Sequence, residues 1–133
     1  MFGGKGHFLM SGRTTVWKAR GASADAPLLH IEIADTVWRR FLGWMGRKNI
    51  APFHALLLRP CSGVHMCFMR FSVDVAYVKN LGSGVWQVIK LTRRLPPWFG
   101  FSACMEADAA LEMGQGEAEQ LGMRPGSEWE EVR

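Results

Sequence analysis

Apolar and polar positions alternate along much of the chain, beginning near Leu28. Leu29, Ile31 and Ile33 alternate with His30 and Glu32, the period-two pattern of a strand with one buried face. The period then changes. Val37, Trp38, Phe41, Leu42 and Met45 recur at helical spacing, with Arg39, Arg40 and Arg47 on the other side and Asp35 or Thr36 placed to cap the start. Gly43 inside this helix costs about 1 kcal/mol against Ala, so a close neighbour is expected there. Strand-like stretches follow at 54–59, 64–71, 73–79 and 85–91, the last two joined by a Gly82-Ser83-Gly84 turn. Residues 103–113 read as one bent strand region. Residues 117–121 read as a short helix stopped by Gly122, and a turn at Arg124-Pro125-Gly126 leads into a last strand over 128–132.

Many short strands with few helical stretches predict an α+β fold that is β-rich: a small curled or barrel-like sheet with one main helix and one short helix. The absence of a βαβ rhythm excludes a doubly wound sheet. Residues 1–27, broken by glycines at 3, 4, 6, 12 and 21, are expected to form a poorly ordered lead. Residues 28–133 are expected to form a single domain. A chain of 133 residues buries roughly two-thirds of its unfolded surface, enough for one core. The longest apolar runs are four residues, such as Ala55–Leu58, far short of the roughly 20 that a membrane-spanning helix needs.

Charge adds an asymmetry. The net charge is +4, yet residues 1–100 carry 14 basic and 4 acidic side chains, and residues 101–133 carry 2 basic and 8 acidic. The two regions should attract each other within one molecule. A basic face for nucleic acid is the sharper alternative, but no run of five basic residues exists, so a nucleic-acid partner is not expected. Cys61, Cys67 and Cys104 cannot all pair within one chain, and the first residues contain no apolar signal-peptide segment. Free thiols in a cytoplasmic setting are therefore expected.

The densest chemistry lies in Cys61-Ser-Gly-Val-His65-Met66-Cys67-Phe68-Met69. On one extended strand Cys61, His65, Cys67 and Met69 share a face, and soft sulfur with imidazole suits Cu(I). The plainer reading is core packing, since Cys and Met are common buried residues. Asp74 interrupts the apolar run Val73–Val78 and needs a partner if buried; Arg70 is the nearest cation, and the pair could fix a turn or face a ligand. Glu112, between Leu111 and Met113, has the same status. Gly114 and Gly116 beside it could offer amides to an anion, although no phosphate-binding motif is present. Trp98, flanked by Phe99, Phe101, Arg93 and Arg94, has the composition of an interface corner. No Ser-His-Asp order, HExxH or paired-carboxylate motif is visible, so the chain leans away from being an enzyme.

Several of these stretches together resemble the bacterial and archaeal family called domain of unknown function 192. Arg40-Phe-Leu-Gly43-Trp44-Met45-Gly-Arg47 is similar to its first-helix segment. Met69-Arg70 followed by Asp74 is similar to its central segment. Leu111-Glu112-Met-Gly-Gln115-Gly116, then Leu121-Gly122-Met-Arg-Pro125-Gly126-Ser127, is similar to its closing region. Arg39, Trp44, Gln115 and Ser127 depart from the residues common there. The resemblance covers about residues 29–132. It implies a compact β-rich α+β fold and a shared framework of Arg40, Gly43, Met45, Met69, Arg70, Asp74, Glu112 and Gly116, and it implies no activity.

The residues thus point first to a non-enzymatic binding module for a peptide, a protein partner or a small ligand, without a cofactor. Arg70, Asp74 and Glu112 would orient the ligand, with His65 and Trp98 at the rim. The alternative is a Cu(I)-binding protein using Cys61, His65, Cys67 and Met69; an enzyme of unspecified reaction comes third.

Overall fold

The computed structural model describes residues 13–34, 52–59, 63–65, 71–97 and 100–132. Seven strands in the order β1-β2-β3-β8-β5-β6-β9 form a closed barrel, and β4 and β7 form a separate two-stranded sheet. The barrel strands are β1 (Thr14–Ala19), β2 (Leu29–Ala34), β3 (His54–Leu58), β5 (Val73–Gly82), β6 (Val85–Leu95), β8 (Ala109–Gly114) and β9 (Glu128–Glu131). The small sheet pairs β4 (Gly63–His65) with β7 (Phe101–Ala103). One helical turn, α1 (Glu117–Gln120), follows β8. The expected β-rich, barrel-like α+β architecture is what the chain adopts, and closure removes the exposed edges an open sheet would present. The expected main helix over 36–47 lies outside the described residues.

Alternation sorts the strand residues into two apolar layers. Inside the barrel lie Trp17, Leu29, Ile31, Ala55, Leu57, Ala76, Val78, Trp86, Val88, Leu111, Met113 and Trp129, with Ala118 and Met123 joining from α1 and the segment after it. Trp17 stacks on Trp86, ring centroids 5.3 Å apart and planes inclined 23°, within the range of favourable aromatic pairs. A second layer on the outer face holds Ala34, Leu56, Leu58, Val73, Val75, Tyr77, Leu95 and Ala110. Two buried faces explain why β3, β5 and β8 read as nearly continuous apolar runs rather than clean alternation.

The hairpin turn lies where the glycines placed it. Ser83 has φ 55° and Gly84 φ 77°. Positive φ at both central residues is the turn type whose twist matches its flanking strands. β5 and β6 extend further than expected, to Gly82 and Leu95.

Two expectations change. The barrel begins within the stretch expected to be a poorly ordered lead: β1 pairs β2 on one side and β9 on the other, with Trp17 fully buried. This strand is stabilised by partners distant in sequence, so its own short pattern announced little. The bent strand expected over 103–113 is two strands in different sheets, β7 and β8, separated by residues 104–108. Asp108 ends that connection with its carboxylate accepting the Asn80 N–H at 2.8 Å, which ties the loop to β5. The strand expected over 64–71 appears as β4, and residues 66–70 lie outside the described residues.

The charge asymmetry resolves within one molecule. On neighbouring strands, Lys18 Nζ lies 3.6 Å from a Glu130 carboxylate oxygen, and Arg20 donates to Glu128 Oε1 at 2.7 Å. Basic β1 and acidic β9 are thus adjacent strands of one barrel. Exposed pairs of this kind contribute little energy each, but they neutralise part of the basic surface.

Candidate functional site

Asp74 is 1% exposed, and its carboxylate gathers three backbone amides. The Arg94 N–H donates to Oδ1 at 3.0 Å, and the N–H groups of Gly116 and Ala118 donate to Oδ2, each at 3.1 Å. The Arg94 amide is available because β6 bulges there: Val73 pairs with Leu95 and Val75 with Thr92, and Arg94 takes φ 54°. The other two amides belong to the start of α1, where Gly116 has φ 88°. The anion that the glycine-containing stretch was suited to hold is therefore the chain's own Asp74 carboxylate. Charge-assisted bonds from amides meet the need of a buried carboxylate. Arg70, the expected partner, lies outside the described residues.

Glu112 faces the other way. Leu111 and Met113 point into the barrel, so Glu112 between them points to the outer layer. Its cross-strand neighbours are Leu56 on β3 and Val75 on β5, both members of that layer. It is 6% exposed, and burial pushes its carboxyl up to about 7, because an apolar environment penalises the charged form. Asp74 and Glu112, expected to share one ligand-facing site, stand on opposite faces of the β5–β8 pair.

A third carboxyl, Glu117, went unremarked in the sequence beyond its place in a short helix. It accepts the Phe53 N–H at 2.6 Å. Burial raises its carboxyl above the usual range, the Phe53 amide and His54 oppose that rise, and Asp74 adds to it. Phe53 has φ 58° and leads into β3; its carbonyl accepts the His30 N–H at 2.9 Å. The following residue, His54, pairs in register with His30 on the parallel strand β2. Both imidazoles are solvent-exposed, with ring centroids 5.3 Å apart. The signal available in sequence was that each histidine occupies a polar position of a strand. The strand pairing that joins them was not legible.

The small sheet sits over β6. Thr92 Oγ1 and Ser102 Oγ are 2.7 Å apart, and Lys90 Nζ donates to the Ala103 carbonyl at 2.6 Å. His65 enters as the last position of β4, in register with Phe101. Phe101 is 69% exposed and Met105 80%. Trp98 and Phe99 of the expected interface corner lie outside the described residues, as do Cys61, Cys67 and Met69. Cys104 is a free, half-buried thiol. Among the described residues no cluster of three or more His, Cys, Asp or Glu side chains is arranged to hold a metal, and no helix is long and apolar enough to cross a membrane.

The family model for domain of unknown function 192, described as an uncharacterized ACR, matches residues 18–130. No curated protein matches the sequence. Two solved structures share the fold. One is a Sinorhizobium meliloti 1021 protein provisionally described as a transcription regulator, with 22% identity and a TM-score of 0.73, covering 90% of this chain and 94% of that one. The other is a Novosphingobium aromaticivorans protein of unknown function, with 20% identity and a TM-score of 0.65, covering 88% and 82%.

Proposed function

The chain belongs to the family of domain of unknown function 192, which carries a fold but no assigned reaction, and on that premise we propose that it is a non-enzymatic binding module of the bacterial cytoplasm. Its ligand is a small molecule or a peptide from a protein partner. The observation that carries this reading is Glu112, a carboxyl in the outer apolar layer between Leu56 and Val75 whose affinity for a proton is raised by burial. An apolar residue there would pack at lower cost. A carboxyl in such a place is suited to a ligand that brings an apolar body and one hydrogen-bond donor or cation.

Asp74 supports the ligand site indirectly, by holding α1 and the β6 bulge in place. Phe101 and Met105 are exposed apolar side chains of the kind that anchor a partner. The pairing of Lys18 and Arg20 with β9 carboxylates favours such a ligand over nucleic acid. The free Cys104 thiol agrees with a reducing compartment.

The test is a thermal-shift screen of amines, guanidines and short basic apolar peptides against the wild-type chain and Glu112→Gln. Compounds that stabilise the wild type and lose their effect in a folded Glu112→Gln variant support the reading. Stabilisation indifferent to that change would remove Glu112 from the binding site.

A further inference from the structure

We propose that His30 and His54 form a divalent transition-metal site on the outer face of the β2–β3 pair, separate from the ligand site above. The two residues are direct register partners on adjacent parallel strands. Leu29, Ile31 and Ala55 point into the barrel, so alternation turns both imidazoles outward. The strands belong to a closed barrel, which holds the two side-chain origins at a set spacing.

Three features suit the pair to a metal. The ring centroids are 5.3 Å apart and the planes are inclined 24°. A metal lies about 2.0–2.1 Å from an imidazole nitrogen, hence roughly 3.2 Å from the ring centre. Two centres 5.3 Å apart lie within the roughly 6.4 Å that two such ligands of one ion can span. The rings are stacked as they stand; His30 is exposed, and a turn of its side chain to another rotamer would bring a nitrogen toward the ion.

The second feature is the tautomer of His54. Its Nδ1 lies 2.9 Å from the Pro52 carbonyl. A carbonyl only accepts, so Nδ1 carries the proton and, in the neutral ring, Nε2 keeps its lone pair for a metal. A ring N–H held by a carbonyl while the other nitrogen ligates is the usual outer arrangement of a metal-binding histidine.

The third is charge. The Glu117 carboxyl lies close enough to His54 for the two to interact electrostatically, and a nearby carboxylate favours a bound cation. Two imidazoles with water in the remaining positions suit the borderline ions Ni(II), Cu(II) and Zn(II) rather than Mg(II) or Ca(II), which prefer oxygen. This set differs from the Cys61, His65, Cys67 and Met69 grouping, whose sulfurs favour Cu(I).

The probe is Ni(II), titrated into the untagged full-length chain by calorimetry, beside His30→Gln, His54→Gln and Cys67→Ala. Thermal melts establish that each variant is folded. The expected result is one ion bound at micromolar Ni(II), with affinity lowered at least about tenfold in either histidine variant, the scale on which partners of a metal ligand count. Cys67→Ala should bind like the wild type. The inference is overturned if the wild type binds no Ni(II), if either folded histidine variant binds like the wild type, or if Cys67→Ala abolishes binding. The ligand reading rests on Glu112→Gln and is untouched by any of these outcomes.

Discussion

Asp74 on β5 and Ala118 at the start of α1 are 44 residues apart in sequence, yet the Ala118 N–H donates to Asp74 Oδ2 at 3.1 Å. With the Gly116 and Arg94 amides on the same carboxylate, this contact joins a strand, a bulge and a helix start. A residue whose carboxylate is filled by the chain's own amides is a framework residue, and the search for ligand contacts moves to the opposite face of the sheet.

Replacement of Asp74 by Ala should therefore unfold the protein more readily rather than merely weaken binding. Each buried amide left without a partner costs about 1–3 kcal/mol. With three amides orphaned and partial relaxation, a loss of about 3 kcal/mol or more is expected from urea denaturation. A loss below about 1 kcal/mol would mean that the amides find other partners.

Glu112 makes stability depend on pH in a defined direction. Its carboxyl is raised from 4.5 to about 7 in the folded state. The unfolded chain releases this proton first, so the folded state binds more protons between those values. The contribution is fully present below about pH 4.5, falls as pH rises through 7, and then levels off. Its size is on the order of 3 kcal/mol. Glu117, raised in the same sense, adds to the slope. Urea midpoints at pH 5 and pH 8 should show Glu112→Gln gaining on the wild type at the higher pH. A gap that does not change with pH would mean that Glu112 is ionised in the folded protein at both.

Gly116→Ala isolates backbone strain. The residue has φ +88°, and a Cβ there would meet nothing within 4 Å. The cost is conformational alone, about 1–2 kcal/mol, with no steric clash added. Thermal denaturation should show a modest drop and an unchanged fold. A drop well beyond that would implicate the Asp74 contact as well.

The hairpin offers a change of opposite sign. Ser83 sits at φ 55° before Gly84, and Asn tolerates this conformation better than Ser. Ser83→Asn should raise stability by a few tenths of a kcal/mol, about 0.5 at most. Chemical denaturation against the wild type is the check, and a loss of stability would argue that the turn relaxes in solution.

Much of the local structure could be read directly. The alternation at Leu29, Ile31 and Ile33 marked β2, the Gly82-Ser83-Gly84 stretch marked the β5–β6 turn, and the short helix at Glu117 was evident. These features depend on neighbours a few residues away, through side-chain alternation and backbone φ. The need of Asp74 for a partner was also legible, because burying a bare carboxylate is costly whatever the fold.

What tertiary structure alone decided is which groups meet. The Asp74 carboxylate met amides from residues 42 and 44 positions onward. Glu112 was turned away from it by the pleat of adjacent strands. Trp17 became core because β9, at the far end of the chain, closes the barrel beside β1, and His30 met His54 through a parallel pairing. Strand order and register arise from the joint burial of two apolar layers, a property of the whole chain, and no local window of residues contains that information.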